Sequence, residues 1–251
     1  MFTSTHFLIL GICFVSAAII LYFLKKKHVN LEKMMTIMVI VTIFSELGKV
    51  FARIEVIDGR ALLASEFLPF HLCSIQLFFI WYLKFFCKNK KVQDTLLAFM
   101  YPTCFLGGLM ALLIATVNPV SFANPEIYEY FGYHMMMVVL GLYIPLTKQV
   151  DFNFKTLVKT GALLLIMFFF TIYLNSMFTH LTPTNFFYSA FPPLENLPYL
   201  NFTFFGYIFA DEKIGWIVYL IKLIFLGLVL VTLSYLPFLL KKQIKESSIV
   251  A

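Results

Sequence analysis

Between Glu66 and Gln76 the chain reads EFLPFHLCSIQ, which sets a carboxylate, a proline, an imidazole, a thiol, a hydroxyl and a carboxamide at the head of the apolar run LFFIWYLKFF. Bilayer hydrocarbon cannot satisfy polar groups, so His71, Cys73, Ser74 and Gln76 must face protein, water or a ligand, and the stretch is a candidate functional site. A thiol in this company is a candidate nucleophile. It attacks an ester carbonyl as the thiolate, which needs a base to take the proton, a group to orient that base, and donors to meet the oxyanion. On a helix His71 and Cys73 would stand about 200° apart, so the base for Cys73 is expected from another element.

The other polar groups inside apolar runs supply the candidates. At a rise of about 1.5 Å per residue, Cys73 lies roughly 10 Å and His71 roughly 6 Å from the outer end of a third helix, Glu46 about 9 Å into a second, His134 about 5 Å into a fifth and Lys222 about 12 Å into a seventh. Lys49 lies nearer the surface, and Asn175 stands near the outer end of a sixth helix. These groups share one layer. His134 shares the depth of Cys73 and is the chosen base, with Glu46 as orienter of that base and Lys49, Asn175 or the first free backbone amides of the third helix as oxyanion donors. Each group has an ordinary reading as well. Glu46 and Lys49 are three apart and can neutralise each other on one helical face; a membrane histidine such as His71 commonly bonds a neighbouring helix; Cys13, Cys87 and Cys104 read as small hydrophobes.

The elements that must position these groups are membrane spans. Of 251 residues, 61% are hydrophobic and 13% charged, with a mean hydropathy of +0.89, which makes the chain an all-α polytopic membrane bundle and leaves no room for a separate soluble domain. Seven runs are read: Phe7 to Leu24, Met34 to Ala52, Phe67 to Phe86, Thr95 to Val117, Phe131 to Thr147, Leu157 to Met177 and Ile214 to Leu240. The whole of 1–251 is taken as one transmembrane domain. Pro102 and the Gly107-Gly108 pair can kink the fourth run or admit a neighbour. Positive charge follows the first run instead of preceding it, so that run is expected to be a retained helix, not a cleaved leader. The four cysteines lack CxxC spacing, which indicates neither a disulfide framework nor a cysteine zinc cluster.

Loop charges give the orientation. With the N-terminus outside, the inner segments carry Lys25, Lys26, Lys27, Lys33, Lys84, Lys88, Lys90, Lys91, Lys148, Lys155, Lys159, Lys241, Lys242 and Lys245, against Arg53, Arg60 and Lys213 on the outer side. That asymmetry predicts N-out and C-in. The net charge of +6 is thereby explained by topology, and no nucleic acid or protein partner is expected. The outer segment 178–213 is rich in aromatic residues and broken by Pro183, Pro192, Pro193 and Pro198. It reads as an interfacial belt or as a lid over the site.

LPFHLCSIQ in the third run, SELGK in the second, GYHMMMVV opening the fifth and TNFF at 184–187 together resemble the signature of the YwaF family of bacterial integral membrane proteins. Where that pattern has TNY, this chain has Thr184, Asn185 and Phe186. The family in turn resembles a eukaryotic membrane protein implicated in acyl transfer between phospholipids through a cysteine acyl intermediate, and more distantly the androgen-induced membrane hydrolases of fatty-acid esters. The resemblance implies lipid-directed acyl chemistry in a bacterial plasma membrane, with Cys73 as nucleophile and His134 as its partner. His71, Gln76, Lys49, Asn175, Asn185 and Lys222 are the candidate substrate-binding residues. A membrane lipid is the expected substrate and no cofactor is required. Two alternatives stay open: a zinc-dependent lipid hydrolase using His71, His134 and a third ligand from His6, His180 or Glu46, and a transporter or receptor-like binding protein.

Overall fold

The computed structural model describes residues 3–117, 119–180, 184–191 and 212–250, and its chain forms two compact units, Met1–Phe152 and Asn153–Ala251. In the first unit α1 spans Ser4–Lys26, α2 Leu31–Arg53, α3 Gln76–Trp81, α4 Lys90–Leu113 and α5 Glu126–Leu146; in the second, α6 spans Phe154–Phe178 and α7 Glu212–Val250. Seven α-helices are thus present among the described residues, and the architecture is the all-α membrane bundle that the hydropathy requires. Polar caps set the helix starts. Thr3, Asn30 and Asn89 each accept a hydrogen bond from an amide of the turn they open, and Asn153 forms a reciprocal capping box with Thr156.

Five helices, α1, α2, α4, α6 and the 213–241 part of α7, are long and apolar enough to cross a membrane. Their outward residues are bare hydrocarbon, as with Phe7, Val15, Phe44 and Phe170, which is stable only against lipid. Helix α5 is different. It carries Glu126 and Glu129 in its first turn and is buried by α4, α2 and α1. Its core contact with α1 and α4 is built from Ile9, Leu10, Cys13, Leu112, Ile127, Phe131 and Val138. Glycines bring α4 and α5 together: a Cβ on Gly141 would stand 2.5 Å from the Phe105 amide nitrogen, and one on Gly108 would stand 2.8 Å from the His134 carbonyl oxygen.

The third run departs most from expectation. A continuous helix from Phe67 was expected, but the chain makes a single 3-10 turn at Ser65–Phe67, runs through bends and turns to Ile75, and is α-helical only over Gln76–Trp81 before a π-turn at Tyr82–Phe86. Pro69 is the local cause, since it supplies no amide donor and drives the residue before it out of helical geometry; Leu68 has φ −63° and ψ 148°. The helical remainder Gln76–Phe86 is about 16 Å long, half of a bilayer core of about 30 Å. The depths computed for His71 and Cys73 along a helix therefore do not hold. The fourth run likewise begins earlier, at Lys90, and ends earlier, at Leu113, than the hydropathy indicated.

Ahead of this break stands an antiparallel hairpin, Ile54–Ile57 with Arg60–Leu63, that the hydropathy reading passed over. Its turn is Asp58-Gly59, with φ of 50° and 72°, the left-handed pair that a two-residue hairpin turn demands and that Asp-Gly supplies at low cost. In the second unit the loop 184–191 folds onto α6 and α7. Of the aromatic outer segment 178–213, residues 181–183 and 192–211 lie outside the described residues, and the lid reading falls mainly there.

Candidate functional site

The break in the third run leaves Cys73, partly buried, in the turn just ahead of α3. Ile75 N–H donates to the His71 carbonyl at 2.8 Å and closes the turn, while the amides of Leu72, Cys73 and Ser74 donate to no backbone group among the described residues. They lie in the turn ahead of α3, whose own first amides, Gln76, Leu77 and Phe78, donate to the carbonyls of Cys73, Ser74 and Ile75 at 3.3, 3.1 and 3.1 Å. Cys73 Sγ faces α4 at Gly107: a Cβ there would stand 2.9 Å from the sulfur. Since Gly108 is the residue that admits the His134 carbonyl, adjacent glycines of α4 seat Cys73 from one side and the His134 backbone from the other.

Helix α5 adds a clamp that the sequence reading did not single out. Tyr133 Oη, 7% exposed as a residue, donates to the Cys73 carbonyl at 2.8 Å, holding the unwound segment to a rigid element. Its neighbour His134 bonds the Tyr130 carbonyl through Nδ1 at 2.7 Å. A carbonyl only accepts, so Nδ1 carries the proton and Nε2 keeps its lone pair. That is the tautomer a base requires. The expected orienter, Glu46, is not the group on Nδ1; its carboxylate takes Lys49 Nζ at 2.6 Å, the intrahelical pair that the three-residue spacing allowed.

His71 is half-buried and close enough to His134 for their charges to interact, and Lys49 reaches His71 in the same way. The 200° separation of His71 and Cys73 assumed a helix, and no helix is present at these residues. Gln76 is fully buried on the α3–α4 contact, donating from Nε2 to Leu72 O at 3.1 Å and Thr103 Oγ1 at 3.0 Å, while its Oε1 has no partner. Thr103 and Gly107 are one turn apart on α4, so Gln76 and Cys73 share one stripe of that helix.

A second acid was missed. Glu129 of α5 accepts from Ser45 Oγ at 2.5 Å and sits where Gly48 leaves room for it; the charges of Glu46, Lys49 and Arg53 all reach it. Arg53 closes this ladder, bonding Glu126 at 2.6 Å and lying over the Phe67 ring. The signal of Glu129 was a carboxylate one turn before Tyr133, just ahead of the run read from Phe131, which in the structure begins at Glu126.

The remaining candidates have other neighbours. His6 is buried with Nε2 on the Leu112 carbonyl at 3.0 Å, a histidine that ties α1 to α4. In the second unit Asn175 uses both ends of its carboxamide, taking Phe186 N at 2.8 Å and donating to Phe186 O at 3.1 Å and Ser189 Oγ at 2.8 Å. Asn185 braces the same loop through Phe191 O, Ala190 N and Phe191 N. Lys222 is half-buried on α7. Among the described residues no three of His, Cys, Asp and Glu gather as a metal site.

The sequence matches the TMEM164 family over residues 1–235. The chain belongs to that family. No curated protein and no solved structure matches it. The TMEM164-family match spans both units and every helix as far as Tyr235 of α7, and with the apolar helices it establishes a multi-pass membrane protein in contact with the bilayer.

Proposed function

We propose that this TMEM164-family chain is a cysteine-dependent lipid acyltransferase or acyl hydrolase. The YwaF-like signature and its acyl-transfer relatives point the same way. The observation that carries the reading is the seat of Cys73: an apolar run broken ahead of α3, a glycine that makes room for the sulfur, and a tyrosine on the Cys73 carbonyl whose neighbour on α5 is His134. Irregular backbone within a lipid-soluble run is tolerated only where protein or a cavity satisfies it.

In the proposed reaction His134 Nε2 takes the thiol proton and Cys73 Sγ attacks the ester carbonyl of a membrane lipid. The amides of Cys73 and Ser74 meet the oxyanion, the C–O bond breaks, and the departing alkoxide receives the proton from His134. A second lipid hydroxyl or water then attacks the thioester; its proton goes to His134 and returns to sulfur as the C–S bond breaks. Lys49, paired with Glu46, and His71 border the lipid side of the site, and Glu46 acts through the field of that pair. With N-out topology the site opens to the outer leaflet.

The test is lipid mass spectrometry on membranes with and without the protein, together with intact-protein mass for a thioester on Cys73. Cys73→Ala and His134→Ala each abolish acyl movement with the protein still folded in the membrane, and the double variant is no worse than either, because the two act as one unit. Cys73→Ser keeps the shape, binds lipid and loses turnover. Wild-type behaviour of both Cys73 variants, in an assay that responds to the protein, refutes the proposal.

A further inference from the structure

Where α1 passes into α2, α3 into α4, and α5 into the loop at Gln149, the first unit holds a cavity of about 230 Å3 at the far end of α3 from Cys73. Its floor is apolar, made by the buried side chains of Leu31 and Met35, and its rim is polar, with Glu32, Lys84, Gln93 and Gln149. Lys84 lies in the π-turn Tyr82–Phe86, a distortion that recurs at functional sites. We infer that this cavity is a second lipid site, taking the head group of a phospholipid that carries both a phosphate and a primary ammonium.

The charges select that class. Glu32 Oε1 and Lys84 Nζ stand 3.3 Å apart, with the Glu32 side chain 78% exposed and that of Lys84 20% exposed, so the anion sits at the mouth and the cation further in. A lone anion entering would meet Glu32, and a lone cation would meet Lys84. A zwitterion inserted between them gives each a counter-charge, displacing a solvent-exposed pair that binds weakly by itself. The primary ammonium adds hydrogen-bond donors for the Glu32 carboxylate, which a quaternary amine lacks. The carboxamides of Gln93 and Gln149 make no side-chain hydrogen bond among the described residues, and they supply donors for the phosphate and ester oxygens. Lys90 is engaged elsewhere, with Asp94 at 2.7 Å and the Gln149 carbonyl. Phe85 and Phe86, 57% and 69% exposed, follow directly on Lys84, and they give an acyl chain a surface to lie on. The inference stands independently of Cys73.

Lipid retention tests it. The full chain is reconstituted in vesicles of phosphatidylethanolamine, phosphatidylcholine and phosphatidylglycerol in equal parts, extracted gently, and weighed by native mass spectrometry. Phosphatidylethanolamine is retained over each of the others by about tenfold, the factor expected for one charge-assisted contact. Glu32→Gln removes that preference, and Lys84→Met lowers retention of all three. Gln93→Leu, which leaves the ion pair untouched, weakens retention as well and serves if either charge variant fails to fold. Equal retention of the three lipids, or retention unmoved by Glu32→Gln and Gln93→Leu, overturns the inference. Full displacement of the lipid by soluble glycerophosphoethanolamine overturns its membrane part and reassigns the cavity to a free phosphodiester.

Discussion

Gly107→Ala is the most discriminating substitution for the proposed chemistry, because the added methyl lands on the thiol itself. The new Cβ would stand 2.9 Å from Cys73 Sγ, whereas unstrained contacts of such atoms lie near 3.5–4.0 Å, so the sulfur must retreat by roughly 0.6–1 Å. It can do so by rotating about χ1, since sulfur is the free end of its side chain. The cost in stability is therefore small, about 1 kcal/mol or less, and is partly offset by the helix preference of Ala over Gly. The cost in rate is large. A misplacement near 1 Å at a reacting atom lowers the rate by about 100-fold, so acyl-enzyme formation should fall between about 10- and 100-fold while the melting point barely moves. Two neighbours calibrate it. At Gly132 a Cβ meets nothing within 4 Å, and Gly132→Ala should leave rate and folding intact. At Gly108 the Cβ meets backbone at 2.8 Å, which cannot rotate away, and Gly108→Ala should destabilise by about 1–3 kcal/mol. The assay is the rate of Cys73 acylation by a lipid-like thiol electrophile, with thermal unfolding in detergent alongside. Full acylation rate in Gly107→Ala would refute the assignment of the Gly107 notch as the seat of a reactive thiol.

Tyr133→Phe leaves the Cys73 carbonyl with only the longer bond from the Gln76 amide, at 3.3 Å, and should cost about 1 kcal/mol, with slower acylation of Cys73, read by the same two assays. Asn175→Ala strips the buried anchor of loop 184–191 and should lower the melting point by more than Tyr133→Phe does; unchanged stability would mean that the loop is held by other bonds, such as that from Trp216 Nε1 to Ser189 O at 3.0 Å. Cys73 should be alkylated in preference to Cys13, Cys87 and Cys104, and a chelator should leave activity unchanged; bound zinc on elemental analysis, with loss of activity on its removal, would favour the histidine-metal alternative. Reporter fusions at Asn89 and Lys242 should register as cytoplasmic and one at Asp58 as external.

The bundle was legible because membrane helices announce themselves by length. Spans of 23 to 29 apolar residues such as Ser4–Lys26 and Lys213–Lys241 have no other stable fate in lipid, and their caps, Asn30 and Asn153 among them, are local signals. The third run failed for a physical reason. Hydropathy measures how well a segment dissolves in lipid, and Phe67 to Phe86 scores as a span whether or not its backbone is helical. Pro69 was in plain view, and a proline in the first turn is compatible with a helix start, so the pattern alone did not choose between a helix beginning at Phe67 and one beginning beyond Cys73. The hairpin at Asp58-Gly59 was lost to the same habit, since a window tuned to 19 residues averages over a two-residue turn.

The site was legible at the level of residue type and opaque at the level of angle. Cys73 and His134 stood out as polar groups in apolar surroundings, and both are seated by the Gly107-Gly108 pair. What the sequence concealed was which partner each would choose. Glu46 had two claimants, Lys49 on its own helix and a histidine on another; the local pair closes at 2.6 Å because three residues of one helix are already held in register, whereas reaching His134 would require a long side chain to give up that contact. His134 is oriented instead by a carbonyl one turn back, a bond available to any helical histidine and invisible to a search for charged partners. Tyr133 was invisible for the opposite reason: its partner is the backbone of a segment that had to unwind before it could offer a carbonyl. The same unwinding that lets the Cys73 carbonyl take Tyr133 beside the Gln76 amide leaves the amides of Cys73 and Ser74 without a backbone acceptor among the described residues, so one break at Pro69 both anchors Cys73 and leaves the donors that the proposed reaction would use. A continuous helix would have satisfied those groups within itself and left the thiol as one more small hydrophobe.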